Sequence, residues 1–139
     1  MTPPEYGPPL SLAEAKHIAE AAEALASRHG WAMVIAILDS TGHLVVLHKM
    51  DHAQYGSIEL AEAKARTATH FKRPTKLFED TIAQGGIGLR LLSAREFCLF
   101  EGGIPLLRGG QLVGAIGVSG ARSDQDGLVA LAGADALQS

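Results

Sequence analysis

Two stretches of this chain are apolar on both alternating faces: residues 31–38 (WAMVIAIL) and residues 112–118 (LVGAIGV). A strand of that kind needs apolar cover on both sides, so it has no place in a half-solvated sheet. Helices must therefore flank a central sheet on both faces.

The rest of the pattern supplies those helices. Ser11 and Glu14 form an S-x-x-E capping box, and Ala15, Ile18, Ala19, Ala22 and Leu25 follow at helical spacing. Gly30 stops this first helix, with Arg28 and His29 at the negative end of its dipole. The turn Asp39-Ser40-Thr41-Gly42 joins strand 31–38 to a second strand, 43–49, as an antiparallel hairpin.

Ser57 and Glu59 begin a second helix near Gly56, with a small face at Ala61, Ala65 and Ala68 suited to close packing on a sheet, a helix or another subunit. Pro74 interrupts it, and a short helix over 75–83 follows. Residues 84–88 (QGGIG) are a connector, and 89–94 fit either a helical turn or a loop.

Strands are expected at 97–100 and, after the break at Gly102 and Gly103, at 104–107; Arg108-Gly109-Gly110 then turns into strand 112–118. Ser123 is expected to cap a last helix over 124–137, with Asp124 and Asp126 at its positive end. The expected class is α/β: an α-β-α sandwich with five mostly antiparallel strands, in the order α-ββ-αα-βββ-α.

Four of the six prolines fall in residues 1–10, which read as an extended arm, either loose or packed on a neighbouring subunit. Residues 11–139 form the single domain. Hydrophobic residues at 47% and charged residues at 19% make the chain globular. A net charge of -3 and 5% aromatic residues exclude a basic or base-stacking surface for nucleic acid. With Cys98 the lone cysteine, an intrachain disulfide and a cysteine-based zinc cluster are excluded. The N-terminus has neither the basic nor the apolar region of a secretory signal, and no apolar run approaches the roughly 18 residues of a membrane span, so a soluble cytoplasmic protein is expected.

The segments LSLAEAKHIAEAA, AILDSTGHLVVLHKMD, GSIELAEAKARTA, EGGIPLLRGGQLVGAIGVSG and SDQD occur in this order over nearly the whole chain. Together they resemble the GlcG/HbpS family, which includes the C-terminal domain of PduO-type proteins. The resemblance implies a profilin-like α/β/α sandwich that assembles into homo-oligomers, from dimers to octamers. It implies haem as ligand, since some members bind haem at the surface and one secreted branch is a haem-linked redox sensor. A corrinoid ranks behind haem, through the PduO-related members, and many other members sit in catabolic operons.

His17, His43, His48, His52 and His70 are the imidazoles available to iron or another metal. His17, His48 and His52 are the candidate metal ligands, whereas His43 belongs to the family turn D-x-x-G-H-L and either orders the hairpin or touches a ligand. The run H-K-M-D-H gathers two imidazoles, a thioether and a carboxylate, yet four-residue spacing aligns ligands on a helix, and this run is a strand end.

Lys64 matches the lysine of the family's K-A-x-T-A. It either holds a ligand carboxylate or propionate, or covers apolar surface with its stem. Glu59 shares its helix, and Glu62 precedes Arg66 by four residues as a surface ion pair. Gly102, Gly103, Ser119 and Gly120 would let a ligand approach the backbone. Gln125 and Asp126 match the family's Q-D and either cap the last helix or touch substrate. Neither phosphate-loop motif, GxxxxGK[ST] or GxGxxG, is present. Cys98 reads as a buried strand thiol.

Three functions fit these residues. The first is a small oligomeric haem- or tetrapyrrole-binding protein. The second is an enzyme acting on a small organic acid, with Lys64 and Glu101 as its catalytic polar pair. The third is an assembly subunit without chemistry of its own.

Overall fold

A computed structural model describes residues 2–137. The elements are α1 (Leu12–Arg28), β1 (Val34–Asp39), β2 (Leu44–Lys49), α2 (Gly56–Phe71), α3 (Lys76–Ala83), a 3-10 stretch (Gly86–Ser93), β3 (Gly103–Arg108), β4 (Gln111–Ser119) and α4 (Ser123–Asp135). The strands form one antiparallel sheet in the order β2-β1-β4-β3. The two doubly apolar stretches become the central strands β1 and β4, buried almost throughout.

Each face has its own core. Ile18, Ala22, Ile35, Ile37, Ile116 and Val129 pack together where α1 and α4 cover one side. On the other side Val34, Ala36, Ala115 and the small face of α2 pack together. Ala61, Ala65 and Ala68 are fully buried there, so that face is spent within the chain and is not offered to another subunit. A Cβ on Gly117 of β4 would strike the backbone oxygen of Ala61 and the amide of Ala65. Glycine at that position lets α2 lie directly on the sheet.

The sheet has four strands rather than five. Residues 97–100 are apolar enough to read as a strand, but they lie against α2. The Cys98 N–H donates to the Thr67 hydroxyl of that helix (3.0 Å), and the ladder to β4 begins only at Gly103. Cys98 is buried as expected, outside any strand. Residues 89–94, open between helical turn and loop, are 3-10 helix as far as Ser93, and that helix starts at Gly86, inside the expected connector 84–88.

The capping box of α1 forms as read: Glu14 N–H donates to Ser11 Oγ (3.1 Å) and Ser11 N–H to Glu14 Oε1 (2.9 Å). At α4 the N-cap is Arg122, not Ser123; its N–H donates to Gln125 Oε1 (3.2 Å). Helix α2 ends at Phe71, where Lys72 turns left-handed (φ 58) ahead of Pro74.

The proline-rich arm pairs with its own sheet. β1 stops opposite Gly114, leaving the Leu112 backbone free on that side. Leu112 N–H donates to Glu5 O (2.8 Å) and Gly7 N–H to Leu112 O (2.8 Å), while Tyr6 Oη donates to Thr69 O (2.7 Å) at the end of α2. The last helix is expected to run to 137, and residues 138 and 139 to complete the domain. Those two lie outside the described residues, whereas the helix itself ends at Asp135.

Candidate functional site

Lys64 is among the most buried side chains, 2% exposed, because the alanine face of α2 draws the helix onto β4 and carries the lysine stem inside. Its Nζ donates to Asp126 Oδ2 (2.9 Å) and to Val118 O (2.9 Å), linking α2, β4 and α4. The other Asp126 oxygen accepts from Ala121 N–H (3.0 Å). Burial pushes the Asp126 carboxyl above its ordinary value, and the Lys64 ammonium and nearby backbone N–H groups pull it only part of the way back.

The glycine pair makes room for that lysine. Gly102 has φ 132, and a Cβ there would lie 2.6 Å from Val118 O and 2.9 Å from Lys64 Nζ. Gly103 is pinned to the chain before α3, its N–H donating to Thr75 Oγ1 (2.9 Å) and its carbonyl accepting from Thr75 N–H (3.0 Å).

Two cavities meet beside the pair. The smaller, about 280 Å³, is polar and includes Gln54, Ser57, Lys64, Ser119, Gly120 and Asp126. Ser119 Oγ donates to Ser57 Oγ across it (3.3 Å). The larger, about 570 Å³, is a mostly apolar cleft between α2 and the segment after α3, with Ala63, Arg66, Leu91, Leu92, Phe97 and Cys98 in its walls. Leu60 and Phe100 border both. In the cleft Arg66 donates to Glu96 O (2.8 Å), so it braces the loop instead of pairing with Glu62. Burial raises the Cys98 thiol above its ordinary range, opposed by the Phe100 backbone N–H.

The expected site residues separate accordingly. Lys64, Ser119, Gly120 and Asp126 share the polar cavity, and Glu59 borders the apolar cleft. Glu101 does not join Lys64: it lines a third cavity with Lys76, Gly102 and Gly103, its carboxylate over Gly127. Burial raises the Glu101 carboxyl, with Lys76 opposing. Gln125 serves the α4 cap. His43 is exposed and bonded to Thr41 Oγ1 (2.9 Å), ordering the hairpin turn. His70 is exposed on α2 beside Gly42.

The histidines proposed for metal stand apart. His17 borders a groove on α1, His48 bonds Glu23 Oε1 (3.0 Å), and His52 turns left-handed (φ 71) toward a different cavity. Among the described residues, no three His, Cys, Asp or Glu side chains converge as a metal site. Sequence reasoning named Lys64 and Asp126 separately and passed over their pairing, and it gave Ser57 only a helix-start role. The separation of 62 positions between Lys64 and Asp126 hides any local spacing signal.

The model of a family described as haem degrading protein HbpS-like matches residues 10–135. The chain belongs to the HbpS-like family. Protein GlcG of Escherichia coli K12 is 36% identical over 79% of this chain and 81% of its own length. The corrinoid adenosyltransferase PduO of Salmonella typhimurium is 33% identical over 84% of this chain, but that match takes in only 35% of PduO.

Among solved structures, HbpS superposes with a TM-score of 0.87 at 33% identity, covering 96% of this chain and 93% of that one. A PduOC:heme complex does so at 0.84 and 31%, covering 93% and 95%. This HbpS-like chain thus shares fold and family with a protein solved bound to haem. Among the described residues, no helix is long and apolar enough to cross a membrane.

Proposed function

We propose that this chain is a haem- or tetrapyrrole-binding protein that seats the macrocycle in the apolar cleft between α2 and the segment after α3. The observation that carries this reading is the composition of that cleft, about 570 Å³ of mostly apolar wall whose polar members are one thiol, Cys98, one guanidinium, Arg66, and the carboxylates of Glu59, Glu62 and Glu96. Those residues fit the group. Leu91, Leu92 and Phe97 match a flat apolar ring, Arg66 matches a propionate, and a cysteine sulfur is a known haem-iron ligand type. The haem-bound PduOC relative supports the ligand class. When bound, haem would supply redox and oxygen chemistry. The chain's own part is to exclude water from the ring and to neutralise its carboxylates.

The test is a hemin titration followed by the Soret band. A shifted, saturable band is expected for the wild type, and Ala63→Trp, which fills the cleft, is expected to abolish it. Cys98→Ser, the one candidate axial ligand among the cleft residues, is expected to move the band, whereas His17→Ala, His48→Ala and His52→Ala, whose imidazoles lie outside that cleft, are expected to leave it in place. A wild-type spectrum identical to free hemin overturns the reading. Assembly into homo-oligomers belongs to the same proposal and is read by light scattering with and without hemin.

A further inference from the structure

The polar cavity beside the Lys64–Asp126 pair holds donors that the fold leaves unspent. An ammonium carries three N–H groups, and Lys64 commits two, to Val118 O and Asp126 Oδ2. The Ser119 and Ser57 hydroxyls share one hydrogen bond (3.3 Å), which uses one of their two hydrogens; with Ser119 as donor, the Ser57 hydrogen is left to face the hollow. Lys64 is 2% exposed and Ser57 4%, so only water or a ligand that enters the hollow can serve them. A buried donor without an acceptor is unfavourable, and an entering acceptor relieves that cost. Both side chains line the same hollow of about 280 Å³.

Charge decides what fits there. Asp126 already neutralises Lys64, and Asp124 stands in the first turn of α4. A carboxylate or phosphate would enter beside these acids with the ammonium already shared. A carbonyl oxygen accepts from two donors without that repulsion. The carbonyl of Gly120, reached weakly by Gln54 Nε2 at 3.5 Å, is an acceptor for a ligand hydroxyl, and Leu60 and Phe100 supply an apolar wall.

We infer that this cavity binds a small uncharged carbonyl compound, of the size of a short hydroxyketone, whose carbonyl oxygen accepts from Lys64 Nζ and Ser57 Oγ. The site stands independently of haem binding, although the two cavities share Leu60 and Phe100 as a wall.

Ligand-observed NMR on the full chain at neutral pH, without hemin, tests this with hydroxyacetone and its near-isosteric anion pyruvate. Hydroxyacetone is expected to bind at millimolar concentration and pyruvate at least tenfold more weakly. Ser57→Ala is expected to weaken hydroxyacetone binding about tenfold, the size of one lost hydrogen bond. Lys64→Met is expected to abolish binding. Should that variant fail to fold, Ser57→Ala, verified by circular dichroism, carries the test. Pyruvate binding as tightly as hydroxyacetone, no hydroxyacetone binding, or an unchanged affinity in Ser57→Ala each overturns the assignment. The hemin titration with Ala63→Trp reads the neighbouring cleft, so either reading can fail alone.

Discussion

Lys64 Nζ lies 2.9 Å from Asp126 Oδ2, with the two side chains only 2% and 4% exposed. The pair ties the middle of α2 to the first turn of α4 across the end of β4. Isolated charges at such depth are strongly disfavoured, so each residue is tolerable only because the other is present.

Removing one partner should therefore cost far more than removing both. Lys64→Met leaves a buried carboxylate and is expected to lower stability by about 3–5 kcal/mol in urea unfolding. The double variant Lys64→Met/Asp126→Leu should be more stable than that single variant. Additive losses would show that the pair is not coupled.

Two glycines of similar appearance should respond oppositely. Gly117→Ala would drive a methyl into the backbone of α2 at Ala61, and overpacking of this kind costs about 1–3 kcal/mol. Gly56→Ala meets open space at the first position of α2 and should stabilise by about 0.4–1 kcal/mol. Denaturation midpoints of the two variants, moving in opposite directions, check both.

The arm should contribute measurably through one hydroxyl. Tyr6→Phe removes the bond to Thr69 O (2.7 Å) while keeping the ring, and about 1 kcal/mol is expected to be lost. A thermal midpoint equal to the wild type would show the arm to be undocked in solution.

Cys98 should behave as an inert thiol at neutral pH. Burial raises its native pKa above the unfolded value, so the thiol's contribution to stability is complete below the unfolded pKa. That contribution declines as pH rises through the native pKa. Iodoacetamide should label native Cys98 slowly and urea-unfolded chain rapidly, and Cys98→Ala should flatten the alkaline limb of stability. Rapid native labelling at neutral pH would contradict this.

Much of the architecture was legible because it is local. The Ser11/Glu14 box announced α1, and the Gly42 and Gly109-Gly110 turns announced two hairpins. The strand expected at 97–100 failed because apolar character records burial, not the partner. Cys98 N–H finds a threonine on α2, and hydrophobicity is the same in either setting. The cap of α4 slipped from Ser123 to Arg122 because Gln125 reaches back to the Arg122 backbone.

The site was less legible for the same reason. Glu101 and Lys64 looked like a polar pair, yet Glu101 faces Lys76 and Gly127, and Asp126 takes the lysine. His48 and His52 are close in sequence, but His48 turns to Glu23 and His52 borders a different cavity.

By itself the sequence determined a sheet covered on both faces, the helices that cover it and the family motifs, because periodicity and turn chemistry act over a few residues. Only the tertiary structure decided that Lys64 is a buried, neutralised ammonium at a hollow with unspent donors. That outcome depends on Gly117 admitting α2 to the sheet and Gly102 making room for Nζ. It brings together residues 62 positions apart, a separation over which no local pattern reports contact.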